Sequence, residues 1–115
     1  MNSYNSPENP EFLNNYLVHI KIVQLLSERT IQEYYLDIRL FLKYVYENKY
    51  NTGEDIENVS ITGMTEKDLR DISVSDIYNF IFYASDERNN ADKARYRKIS
   101  SLRSFFKYLE KVARI

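Results

Sequence analysis

Apolar residues recur at steps of three and four along most of this chain, and they nowhere alternate over a run long enough for a strand. In residues 11–26, Leu13, Leu17, Ile20 and Val23 fall on one helical face, with Tyr16 at its edge. A longer stripe of Ile31, Tyr34, Ile38, Phe41, Leu42 and Val45 predicts a helix over 27–50, started by Ser27, whose hydroxyl can cap the first turn. Ile77, Phe80, Ile81 and Ala84 predict a shorter helix, capped by Ser73 or Ser75. Ile99, Leu102, Phe106, Leu109 and Ala113 predict the last one, over 91–114, with Asn90 as its cap. Between 51 and 73 the pattern breaks into turn formers and the chain's two glycines, Gly53 and Gly63. A structureless stretch of that length is unusual in a compact domain, so a short helix capped by Thr65 is expected at 66–71. The expected fold is all-α, a four-helix bundle with a core of Leu17, Ile20, Ile38, Phe41, Phe80, Leu102, Phe106 and Leu109.

The 115 residues suit one domain. Residues 1–10, polar and carrying Pro7 and Pro10, read as a flexible N-terminal lead-in to a helical domain over 11–115. Eleven Tyr and six Phe supply large core area with polar tips. Tyr34, Tyr44, Tyr96 and Tyr108 are expected in the core or at an interface. The chain has no cysteine, which excludes disulfides, thiolate metal sites and cysteine nucleophiles. Its one histidine, His19, has no partner at ligand spacing and reads as a partly exposed helix residue. Glu54, Asp55 and Glu57 do not keep the spacing of a calcium loop and read as a solvated turn. No cofactor or metal is expected. No run has the length and apolarity of a membrane span, and no signal peptide opens the chain, so a cytoplasmic protein is expected.

Charge changes the picture more than composition does. The net charge is −1, yet residues 51–90 hold three basic and nine acidic side chains, while residues 91–115 hold eight basic and two acidic. Screening over roughly 8–10 Å makes binding a question of the local field, so this segregation outweighs the total. Opposite the apolar stripe of the last helix lie Lys93, Arg97, Ser100, Ser104, Lys107 and Lys111. A helix that packs on one side and offers cations and hydroxyls on the other suits a phosphate backbone; equally, such a face is simply solvated.

Two segments together resemble a known family. One is Ser27-x-x-Thr30-Ile31-x-x-Tyr34-x-x-Asp37-Ile38-x-x-Phe41. The other is Arg97-Lys98-Ile99-Ser100-Ser101-Leu102-Arg103-Ser104-Phe105-Phe106-Lys107-Tyr108-Leu109. Both are similar to the N-terminal core-binding domain of tyrosine recombinases, the phage integrase and Xer-type enzymes. The resemblance implies a SAM-like orthogonal bundle that clamps one side of a recombination half-site on double-stranded DNA, for integration or resolution. A separate catalytic domain of the same full-length protein would clamp the other side, and further recombinase protomers would sit on the same DNA. It implies DNA contacts from Ser27, Arg29 and Thr30 at one helix start, and from Lys93, Arg95, Arg97, Lys98 and Ser101 at the other. Where the family often opens that last helix with Thr, this chain has Ala94. The family's chemistry needs a nucleophilic Tyr beside a cluster of Arg, Lys and His, which one histidine and this length do not supply. The chain is therefore expected to be a non-catalytic domain of a bacterial or phage protein. The alternative is a helical protein-interaction domain without nucleic-acid binding, and a small stand-alone regulator is a third reading.

Overall fold

A computed structural model describes residues 6–86 and 92–115. Within them the chain forms α1 (Glu11–Ile22), α2 (Glu28–Tyr50), a 3-10 turn (Ile56–Asn58), α3 (Glu66–Arg70), α4 (Val74–Asp86) and α5 (Asp92–Tyr108). α5 ends in a π-helical turn over Leu109–Ala113. The fold is an all-α bundle, with four main helices and the short one expected after Thr65. The expected cap Asn90 lies outside the described residues.

Local hydrogen bonds set several of the helix ends. Ser27 opens α2 by accepting the Thr30 N–H at 3.1 Å. Thr65 and Asp68 form a reciprocal capping box at α3. Ser73, rather than Ser75, opens α4: its Oγ accepts the Asp76 N–H at 3.1 Å while Asp76 accepts the Ser73 N–H at 2.8 Å. α1 stops at Ile22, four residues before the sequence pattern does. Leu25 turns left-handed (φ 56°), and the Leu26 N–H reaches back to the Ile20 carbonyl at 3.0 Å. Val23, expected inside, is consequently exposed.

α2 is the axis of the bundle. Ile31, Tyr35, Ile38, Phe41, Leu42 and Val45 form its buried apolar face, so Tyr35 takes the inner position expected of Tyr34. The Phe41 ring meets Phe80 of α4 at 5.2 Å and Phe106 of α5 at 5.8 Å, both edge-on. Val59, Ile61, Met64 and Leu69 bury side chains from the segment after α2, which anchors the acidic stretch against the bundle. Residues 6–10, expected to be a flexible lead-in, form a turn in which Ser6, Asn9 and Pro10 are buried and Asn9 Oδ1 accepts the Tyr35 hydroxyl at 2.9 Å.

The register of α5 differs from expectation. Phe105 is fully buried, packed on Tyr16 at 5.2 Å, while Phe106 is half-buried. The inner face of α5 is Lys98, Ser101, Leu102, Phe105 and Tyr108, rotated by about one residue, or about 100°, from the predicted stripe. Two adjacent phenylalanines satisfy the apolar pattern equally well. The polar anchors decide between them: Ser104, placed outside by the pattern, instead meets the Tyr16 hydroxyl at 2.8 Å.

Candidate nucleic-acid interface

The starts of α2 and α5 are joined by one chain of charges. Asp37, on the side of α2 next to its apolar face, is buried and accepts a bidentate pair of hydrogen bonds from Arg97 of α5, Nε and Nη2 each at 2.9 Å. Lys98 Nζ lies 3.5 Å from the same carboxylate. One helical turn earlier, Glu33 lies 3.5 Å from Arg97 Nη1 and 3.9 Å from Arg29 Nε. The hydrogen bonds to Asp37 hold the Arg97 guanidinium even more firmly protonated than usual, against the opposing effect of burial. A forked guanidinium on a carboxylate fixes both position and orientation, so this contact sets how α5 crosses α2.

That geometry sorts the sequence-predicted residues. Ser27 is exposed, but its Oγ is engaged with Thr30, whose hydroxyl it also meets at 3.0 Å. Arg29 is almost fully exposed at the same end, and Thr30 is half-buried. Lys93 is exposed on the first turn of α5. Arg95 is exposed and turned toward α4, where its Nε donates to Ser85 Oγ at 2.9 Å. Arg97 is two-thirds buried and committed to Asp37. Lys98 is 6% exposed, and Ser101 is fully buried with its hydroxyl donating to the Lys98 carbonyl at 2.8 Å. Lys98 and Ser101, implied as DNA contacts by the resemblance, lie on the inner face of α5 that its rotation buries together with Phe105.

The same rotation turns other residues outward. Lys93, Tyr96, Ser100, Arg103 and Lys107 are all exposed, and their spacing of three and four places them on one stripe about 21 Å long. Tyr96, expected in a core or interface, is 73% exposed between the cations. The pattern missed Tyr96 and Arg103 because it used Phe106 to set the wheel. Asp37 was a readable signal: an acid next to an apolar stripe needs a cationic partner, and the pair Arg97–Lys98 supplies it.

The acidic segment is held at the opposite end of α2. Lys49 bridges Asp68 at 2.7 Å and Asp71 at 2.8 Å, and the Tyr50 hydroxyl donates to Asp68. Burial opposes ionisation of Asp68, but the donors Lys49, Tyr50 and Thr65 outweigh it and hold the carboxyl well below the ordinary carboxylate range. Burial also pushes the Tyr16 phenol up to about 12, which fits a structural hydroxyl paired with Ser104. His19 lies half-buried against Tyr108 at 5.0 Å. Among the described residues no cluster of three or more His, Cys, Asp or Glu could hold a metal ion, and no helix is long and apolar enough to cross a membrane.

No family model and no solved structure matches this sequence. Two curated proteins do. The chain is 29% identical over 108 residues to a tyrosine recombinase XerC of Caldanaerobacter subterraneus subsp. tengcongensis, a match that covers 92% of this chain and 31% of that protein. It is 34% identical over 98 residues to a tyrosine recombinase of Pseudothermotoga lettingae, covering 84% of this chain and 27% of that protein. The chain thus spans less than a third of the length of these relatives. The resemblance read from the two helical motifs and these two matches agree: the chain is related to tyrosine recombinases.

Proposed function

We propose that this chain is a DNA-gripping, non-catalytic domain of a tyrosine recombinase, and that it holds one side of a recombination half-site for DNA integration or resolution. The observation that carries this reading is the charge chain Arg29–Glu33–Arg97–Asp37. It ties the N-terminal half of α2 to that of α5, and Arg29 and Lys93 are exposed on the first turns of those helices. The stripe Lys93, Tyr96, Ser100, Arg103 and Lys107 extends that surface along α5. Three cations at such spacing neutralise phosphates, and an exposed Tyr between them offers an amphipathic contact to a groove wall. The partners in this reading are double-stranded DNA, a catalytic domain of the same protein and further protomers, in the cytoplasm of a bacterial or phage-infected cell.

The test is affinity against salt concentration for a short duplex. A domain with net charge −1 should bind weakly by itself, near the roughly 10⁻⁴–10⁻⁶ M of non-specific binding at physiological salt. Replacing Lys93, Arg103 and Lys107 together by Gln should reduce the salt dependence by about three counterions. Replacing Lys49 and Lys67, whose charges are taken by Asp68 and Asp71, should leave it unchanged. Equal losses in the two variants would overturn the stripe as a docking face. The chain by itself should form no covalent adduct with a half-site duplex on a denaturing gel. One observation favours the protein-interaction reading instead: an apolar groove of about 900 Å³ between α4 and α5, lined by Ile77, Tyr78, Ile81, Phe82 and Phe106. Absence of duplex binding even at low salt would select that reading.

A further inference from the structure

α4 leaves an apolar stripe uncovered. Val74, Tyr78 and Phe82 recur at steps of four, and they are 63%, 70% and 71% exposed. Single exposed apolar residues are ordinary, but a contiguous row of them on one helix marks a contact surface. Tyr78 and Phe82 form one lip of the groove of about 900 Å³ between α4 and α5, and half-buried Ile81 and Phe106 line it more deeply. The opposite lip is charged: Arg95, Arg103 and Lys107 of α5 line it, with Glu110 as the acid beyond them. Arg95 is already engaged by Asp92 at 3.6 Å and by Ser85 at 2.9 Å, and Glu110 lies 4.0 Å from Lys111. Arg103 and Lys107 are exposed and take part in no ion pair among the described residues. Two free cations thus run along an apolar groove whose α4 lining is uncharged.

We propose that this groove receives an amphipathic helix of a partner protein, its apolar stripe on Tyr78, Phe82 and Phe106 and an acidic flank against Arg103 and Lys107. Both walls are helices, which suits a third helix laid between them rather than an added strand. The α5 wall runs from Arg95 to Glu110, about 22 Å, the length of a helix of about four turns. A small ligand needs enclosure, whereas most of Tyr78 and Phe82 faces solvent. Charge selects the partner: the two cations repel a basic helix, and their place on one lip decides which flank of the guest carries the acids. A second copy of this chain does not meet those terms. Its other exposed apolar cluster, Ile22, Val23 and Leu25, follows Lys21, and the neighbouring acid Glu28 is bound to that lysine. The groove does not depend on the nucleic-acid reading above. Where that reading holds, partner and duplex share Arg103 and Lys107 and exclude one another.

The experiment selects displayed peptides of about 15 residues against the chain, with apolar residues fixed at helical spacing and the flanking positions free to be Glu, Lys, Gln or Ser. Selected peptides are expected to carry Glu along one flank, and to shift the amide resonances of residues 77–85 and 99–107 on titration. Phe82→Ser, at a position too exposed for the fold to need it, should weaken them about ten-fold and leave duplex binding unchanged. Arg103→Glu combined with Lys107→Glu should reverse the selection, from Glu-flanked to Lys-flanked peptides. No enriched peptide, enrichment without an acidic flank, or binding indifferent to Phe82→Ser would overturn the proposal. So would self-association of the chain in sedimentation that Phe82→Ser abolishes, which would make a second copy the occupant. Peptide binding by a chain that binds no duplex even at low salt supports the groove and removes the nucleic-acid reading. Duplex binding by a chain that selects no peptide removes the groove alone. Where both bind, duplex should displace the peptide, and a ternary complex would overturn their shared use of Arg103 and Lys107.

Discussion

At one end of α2 two of its carboxylates hold cations of α5; at the other end a lysine of α2 holds carboxylates of the segment that follows it. The Asp37 cluster centres on a buried carboxylate, joins residues 60 positions apart in sequence, and sets two acids of α2 against Arg97 and Lys98 of α5. The Asp68 cluster joins residues 19 apart, and its Lys49 serves two acids at once. The first therefore decides how a whole helix crosses the bundle, whereas the second pins a local excursion. The difference also explains how a nearly neutral chain becomes polarised. Acid surplus is drawn to the C-terminal end of α2, and base surplus is left along the outer face of α5.

Removing Asp37 should break this comparison most severely. Asp37→Ala leaves Lys98 buried and Arg97 without its fork, and should cost about 3–5 kcal/mol in denaturant unfolding. A loss no larger than that of Asp68→Ala would mean the two clusters do the same job. The register that places Arg97 and Lys98 inside depends on Phe105, so Phe105→Ala should also cost about 3–5 kcal/mol. Half-buried Phe106, by contrast, should cost about half as much when truncated. Equal losses at the two phenylalanines would place both in the core and undo the rotation.

Smaller effects should separate the Asp68 end. Asp68→Asn should destabilise by about 1–2 kcal/mol, because it removes the charge on which Lys49 and Tyr50 converge. Since the folded state holds this carboxyl below its unfolded value of 3.8, the cluster's contribution is complete above that pH and is lost as the pH falls further. Acid titration of stability should accordingly show a weaker dependence below about pH 4 in Asp68→Asn than in the parent chain. The smallest expected change is Ser27→Ala, which removes the α2 cap and should cost about 1 kcal/mol without altering either cluster.

Helix number, order and most caps were legible in the sequence because period and cap chemistry are local. Ser27 and Ser73 each sit before an apolar stripe, Thr65 sits three residues before Asp68 as a capping box requires, and each caps the helix it precedes. What was not legible is rotation. Tyr34 against Tyr35, and Phe105 against Phe106, are adjacent alternatives of like hydrophobicity. Each choice is settled by a distant hydroxyl or amide: Asn9 for Tyr35, and Tyr16 through Ser104 for the α5 register. The candidate site suffered from the same ambiguity. Lys93, Ser27 and Arg29 are exposed and Thr30 is half-buried, whereas the register of α5 puts Lys98 and Ser101 on its inner face and Arg103 and Tyr96 on its outer one. The early stop of α1 was illegible for another reason, because nothing in the composition of Leu25 announces a left-handed turn.

That leucine has a consequence for engineering. Three helices here close through a left-handed residue that is not glycine: Leu25 after α1, Asn51 after α2 and Arg114 after the π-helical turn. Asparagine tolerates that conformation, but for leucine the crowding between Cβ and the backbone costs roughly 1 kcal/mol or more. Leu25 is 78% exposed and has little packing to lose. Replacing it with glycine trades that steric conflict for a looser unfolded chain, and the balance should fall slightly in favour of the folded state. The fold thus retains an unused margin of thermal tolerance, open to a single change that touches neither charge cluster.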